Sequence, residues 1–277
     1  MDDINRVAAV VAEMDNQLRD ILASPKMLWD NTFTKHQLDR RTEGGVFDLS
    51  DHIRAMVYSM LSSGITWERV ESMTDLATGR ITPLDDLFHQ YDSDYILSCD
   101  PADLRDGIKG LHLASQYTKN QMAALIDVNI PKLKAIEQKH GSIDTYYEKY
   151  IIDGCDMTCL IRLLSAPDSK DKLSQMGEAL VAEYLKNVGY DTAKPDRHIC
   201  RILGSKYLAC SESEIVPVFE ALDIVVDIAR ELGRPTAEVD YILWSYCASG
   251  YGEICTVKNP KCEVCKAKEL CVLNNGY

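Results

Sequence analysis

The 277-residue sequence has no long hydrophobic run: nowhere does it approach the roughly 18 uninterrupted apolar residues that a helical membrane span requires. Little of it alternates apolar with polar in the manner of half-buried strands, which argues against a β fold. Basic residues are in deficit, with 30 Lys and Arg against 43 Asp and Glu and a formal net charge of -13. Lys and Arg drive nonspecific adhesion to nucleic acid by displacing counterions from phosphate, so adhesion of that kind is disfavoured. The opening segment MDDINRVAAVVAEMDNQL is acidic where a secretory signal is basic, and its apolar residues recur at helical spacing. We therefore expect a cytoplasmic protein, nucleoid-associated in a bacterial or archaeal cell, with no membrane partner. Internal repeats and low-complexity tracts are also missing.

The charge is unevenly spread. Seven Asp (85, 86, 92, 94, 100, 103 and 106) and one Arg fall between Asp85 and Asp106, which leaves room for a basic face elsewhere. Helical periodicity dominates, and Ile53, Met56, Val57, Met60 and Leu61 mark one face of a helix after Asp51. Further helices are expected near 3–23, 67–76, 101–107, 115–127, 131–140, 156–164, 178–188, 197–208, 212–232 and 236–247, with breaks at 42–45, 165–172 and 189–195. The fold class is all-α.

Of ten cysteines, six (Cys99, Cys155, Cys159, Cys200, Cys210 and Cys247) lie mostly among apolar neighbours and read as reduced core residues. The other four form a closing pattern: Cys255, six residues, Cys262, two residues, Cys265, five residues, Cys271. Four soft ligands so close together suit a compact metal centre, either tetrahedral zinc or a [4Fe–4S] cube. Structural zinc sites usually pair two close Cys-x-x-Cys turns across a longer gap, whereas here one close pair is flanked by two single cysteines.

This Cys-x6-Cys-x2-Cys-x5-Cys pattern, at the end of an all-α chain of this size, resembles the iron–sulfur loop of the endonuclease III group within the helix-hairpin-helix superfamily of DNA glycosylases. The resemblance implies a chiefly structural [4Fe–4S] cluster held by Cys255, Cys262, Cys265 and Cys271. It also implies a loop whose basic residues, here Lys258, Lys261, Lys266 and Lys268, meet DNA phosphate.

A second motif supports it. Asp196-Arg197-His198-Ile199-Cys200-Arg201 resembles the Asp-x-His stretch, followed by Arg, that carries the superfamily's catalytic aspartate. Pro195-Asp196 ahead of an apolar helical run reads independently as a helix N-cap, where backbone N–H groups favour an anionic partner. A carboxylate so placed can stabilise the cationic sugar left as a base departs and orient or deprotonate attacking water. His198 is expected to orient the local backbone, and Arg201 to pair with Asp196, contact DNA or enter the interior.

The superfamily hairpin, Leu-Pro-Gly-x-Gly, is degenerate here: in Leu173-Ser174-Gln175-Met176-Gly177 only the leucine and last glycine persist. Glu178 or Ala179 falls where bifunctional members carry a lysine, so the Schiff-base amine is missing and the resemblance implies a monofunctional, water-driven activity. Lys170 and Lys172 are the nearest rival amines. Gly177 and Glu178 are the hairpin's candidate DNA contacts.

Base excision requires a pocket for an extruded nucleotide. By the resemblance Ser63, Gly64 and Trp67 line it, and Gly110-Leu111-His112 matches a loop entering the minor groove, so His112 is a further candidate. The implied architecture is a central helical domain, 46–189, and an iron–sulfur domain built from 1–45 and 190–277, with an active cleft between them. The expected partner is double-stranded DNA with a damaged or modified base, and the expected state is a monomer. Two alternatives keep the same scaffold: group transfer onto a DNA base, as in thymine hypermodification, and a non-enzymatic iron–sulfur DNA-binding module.

Overall fold

The structure, a computed structural model, describes residues 2–61, 67–152 and 156–275. Among these residues regular structure is helical, and the one β feature is an isolated bridge between Thr74 and Ile81. No described helix is long and apolar enough to cross a membrane. The helices are α1 (Asp2–Ile21), α2 (Phe33–Thr42), α3 (Leu49–Leu61), α4 (Trp67–Ser72), α5 (Thr82–Leu87), α6 (Ser93–Ser98), α7 (Pro101–Gly110) and α8 (Thr118–Ala124). A π-helical turn over Leu125–Asn129 leads into α9 (Ile130–His140), followed by α10 (Ile143–Ile152), α11 (Met157–Ser165) and α12 (Glu178–Asn187). The last four are α13 (Arg197–Ile202), α14 (Val218–Leu232), α15 (Thr236–Cys247) and α16 (Val272–Asn275).

The chain forms two compact units, residues 36–190 and residues 1–35 with 191–277. The first crossover thus follows Lys35, where the sequence reading put it after Gly45. The reason lies in α2. Arg41 donates through Nε to Val188 O (2.8 Å) and through Nη2 to Asp144 (3.0 and 3.1 Å), and its guanidinium lies over the rings of Phe47 and Tyr190. Gly189 adds to this: a Cβ there would sit 2.4 Å from Gln37 O, so only glycine admits the approach.

Within 36–190, α3 is the central element and packs on α12. The predicted face, Ile53, Met56, Val57, Met60 and Leu61, is buried, but so are His52, Tyr58 and Ser59 on the other side. Each of those polar groups has a partner, as burial demands. Ser59 Oγ donates to Leu180 O (2.7 Å), Tyr58 OH donates to Asp85 Oδ1 (2.7 Å), and His52 Nδ1 lies 2.7 Å from Tyr184 OH. Much of the acidic segment is structural as well. Asp85 also accepts from Tyr91 OH and Arg80 Nε, while Asp92 and Asp100 cap α6 and α7 by accepting from Tyr95 N and Ala102 N.

In the other unit, α1 packs against α14 and α15 through Val7, Val11, Met14 and Leu18. Two expected helices are shorter than their periodicity suggested. The 212–232 pattern starts only at Val218, because Pro217 confines the residue before it to extended backbone. The 197–208 pattern ends at Ile202, since Gly204 packs where a Cβ would lie 2.1 Å from Glu214 O.

Candidate active site and cysteine loop

Asp196 is the N-cap of α13. Its Oδ1 accepts from His198 N (2.7 Å) and Ile199 N (3.3 Å), which fixes the carboxylate at the helix start and leaves Oδ2 without a hydrogen bond among the described residues. The residue is half-buried. Beside it, burial pushes the His198 imidazole below its ordinary pKa; the Asp196 charge opposes that, and Arg197, Arg201 and Lys194 add to it. His198 Nδ1 is buried without a hydrogen-bond partner among the described residues. Burial, reinforced by Asp196, lifts the Cys200 thiol to about 11, so Cys200 is an inert packing residue, as expected from sequence.

Arg201 takes the interior alternative among those the sequence left open. It is buried, its Nη2 donates to Cys255 O, its Nη1 lies 3.6 Å from Cys255 Sγ, and its guanidinium stacks over Tyr207 at 4.7 Å. Arg201 is thereby engaged within the protein through Nη1 and Nη2. It ties the helix that opens at Asp196 to the first cysteine of the loop.

The cysteine loop is fastened at both ends. Ile254 N and Cys255 N both donate to Tyr246 O (3.0 Å), and Val272 N and Leu273 N donate to Tyr207 O and Lys206 O. Tyr246, on α15, accepts from Lys266 N (2.8 Å), donates to Gln17 Oε1 (2.8 Å) and lies 3.7 Å from Cys265 Sγ. Cys247, read from sequence as a core residue, is buried and donates to Cys255; with burial opposing and Arg201 assisting, this draws the Cys255 thiol down to about 6. Neither Tyr246 nor Cys247 carried a sequence signal for this position, since both sit in an apolar helical pattern.

Cys255, Cys262, Cys265 and Cys271 are all half-buried, and the Cys265 and Cys271 thiols each feel the charge of Cys255. Among the described residues no group of three or more His, Cys, Asp or Glu converges closely enough to hold one metal ion. Thiolates around a single zinc, at about 2.3 Å each, stand roughly 3.8 Å apart. Lys258, Lys261, Lys266 and Lys268 are exposed on the same loop.

The hairpin runs between α11 and α12. Gln175 holds φ +60°, a left-handed conformation that favours glycine, so the turn survives without the glycine expected there. It is pinned from α9's side by Asn129, whose Nδ2 donates to Ser174 O (3.0 Å) and whose Oδ1 accepts from Ser174 N (2.7 Å). Lys172 Nζ donates to Ser165 O and to Met176 O (3.3 Å), and Lys132 Nζ donates to Lys170 O (2.9 Å) and Lys172 O (2.6 Å). The rival amine Lys172 is therefore a brace. Gly177 caps α12 with no side chain, a Cβ added there would meet nothing within 4 Å, and Glu178 begins the helix exposed to solvent. The N–H groups of that first turn lack a side-chain cap.

Of the remaining candidates, His112 is exposed at φ +58°, with its carbonyl accepting from Arg69 Nη1 (3.2 Å). Trp67 opens α4, and Ser63 and Gly64 lie outside the described residues.

No family model matches the sequence, and no curated protein matches it either. Among solved structures, the fold is similar to that of Methanocaldococcus jannaschii 8-oxoguanine glycosylase/lyase, determined in complex with a 15mer DNA containing 8-oxoguanine. The TM-score is 0.52 at 15% identity, and the match covers 86% of this chain and 96% of that one. The all-α fold of this chain is thus one also found in a DNA glycosylase/lyase.

Proposed function

We propose that the chain is a monofunctional DNA glycosylase that hydrolyses the N-glycosidic bond of a damaged or modified base extruded from double-stranded DNA. The observation that carries this reading is Asp196, a carboxylate locked at a helix start through one oxygen with its other oxygen unengaged, on a fold that a DNA glycosylase/lyase shares. As the bond between C1′ and the base nitrogen breaks, the base leaves with the electron pair and positive charge develops on the sugar. Asp196 stabilises that charge, and its Oδ2 accepts a proton from the water whose oxygen bonds to C1′. Burial lowers the pKa of the neighbouring His198 imidazole.

The hairpin supports hydrolysis in place of lyase chemistry. Glu178 and Ala179 start α12 without an amine, and the Lys172 amine is engaged by backbone carbonyls. A Schiff base needs a free amine. We further propose that Cys255, Cys262, Cys265 and Cys271 hold a [4Fe–4S] cluster, which supplies a fixed loop carrying Lys258 and Lys261 toward DNA phosphate.

The test is mass spectrometry of both products after incubating cluster-loaded protein with DNA bearing many modified and damaged bases. Free base from wild type but not from Asp196→Asn is the expected result, with a loss of about 10²–10⁴-fold in rate. A gain of mass in the DNA without free base would assign group transfer instead, and no change in either product would reduce Asp196 to a helix cap.

A further inference from the structure

α7 and the loop that joins it to α8 border an open cavity of about 550 Å³ lined by Arg105, Asp106, Lys109, Ala114, Ser115 and Lys119. Its charge runs against that of the chain, which is -13 overall and densest in carboxylates just before this point. Arg105 and Lys109 stand four residues apart, hence on one face of α7. Arg105 is paired with Asp106, through Nη2 at 2.8 Å and Nε at 2.9 Å, so the lining carboxylate is already neutralised. Lys109 and Lys119 are exposed and form no ion pair with the described residues. Two lysines thus line one concavity without an ion pair to the described residues.

The floor is small and firm. Ala114 and Ser115 are half-buried, Ser115 N donates to Thr118 Oγ1 (2.8 Å), and Tyr117 N donates to Ser115 Oγ (3.2 Å). That turn carries Tyr117 outward, 48% exposed, two residues from Lys119. The volume falls within the range of about 300–1,000 Å³ typical of small-molecule sites and is more than one inorganic anion needs.

We propose that this cavity is a phosphate-binding site in which Lys109 and Lys119 take the phosphate of a nucleic acid backbone or of a nucleotide. The backbone source rests on the DNA reading above and adds a second place of contact to it; the nucleotide source does not.

Two titrations test the site, each with wild type, the double variant Lys109→Gln/Lys119→Gln, and Lys139→Gln as a control for loss of surface charge. In the first, duplex DNA affinity is measured by fluorescence anisotropy across a potassium chloride series. Two lost phosphate contacts should reduce the slope of log K against log salt by about 1.8 in the double variant, whatever the DNA sequence, and leave the control unchanged. In the second, thymidine triphosphate is titrated by calorimetry. If the duplex slope is unaltered but wild type binds the triphosphate and the double variant does not, the cavity holds free nucleotide. If the double variant matches wild type in both titrations, the proposal is overturned. Failure of wild type to bind duplex at any salt would instead sink the glycosylase reading, with the triphosphate still deciding the cavity.

Discussion

The Arg201 guanidinium donates to the backbone carbonyl of Cys255, 54 residues further along the chain, and so joins the helix begun by Asp196 to the start of the cysteine loop. Removing it orphans a carbonyl and leaves Tyr207 without its stacking partner, a cost of about 1–3 kcal/mol. Arg201→Gln should therefore yield less iron and acid-labile sulfide per chain after anaerobic reconstitution and faster proteolysis within 255–271. Arg201→Lys should not restore either, because an ammonium cannot serve carbonyl and ring together as a planar fork does. Unchanged metal content and protease resistance in Arg201→Gln would refute the role.

With its Nζ bound to Ser165 O and Met176 O, Lys172 should fail as a nucleophile. Borohydride added during reaction with abasic-site DNA should trap no covalent adduct with wild type. Lys172→Met should lower stability by about 1–3 kcal/mol, since two carbonyls lose their donor. A trapped adduct that vanishes in Lys172→Met would reverse both the assignment of the brace and the hydrolytic reading.

Asn129 makes both of its bonds to Ser174 from a fully buried position. Asn129→Leu keeps the volume and removes the clamp, so denaturant unfolding should show a loss of about 2–3 kcal/mol, with faster hydrogen exchange at Ser174 N–H. Exchange at that amide no faster than in wild type would show that the hairpin holds itself.

Asp144 is partly buried, which works against ionisation, but His52 and Arg41 hold its carboxyl at about 2, below its ordinary 3.8. A depressed pKa stabilises the fold above the unfolded value and is lost as pH falls through the folded one. Stability should therefore decline between about pH 4 and pH 2, and Asp144→Asn should flatten that decline. Denaturation midpoints over a pH series decide it, and parallel curves for the two proteins would exclude Asp144 as a source.

What could be read in advance was local. Pro195-Asp196 announced a helix cap because a capping side chain bonds two or three residues ahead, and the apolar spacing from Ile53 to Leu61 announced α3. His52, Tyr58 and Ser59 looked like the solvent side of that helix, because their partners, Tyr184, Asp85 and Leu180, are distant in sequence. Arg201 was open for the same reason. Gln175 gave no warning of its left-handed turn, since glutamine has no preference for that conformation; the tertiary clamp on its neighbour imposes it.

The π-helical turn that ends at Asn129 accommodates one residue more than an α-helical path would, and each residue turns a helix by about 100°. Deleting one residue within 125–129 would let the helix run on regularly into α9, yet swing Asn129 away from Ser174. The shape of the hairpin is in this sense written in a different helix, as a matter of phase, and an insertion or deletion forty-odd residues upstream can unsettle it while every hairpin residue stays the same.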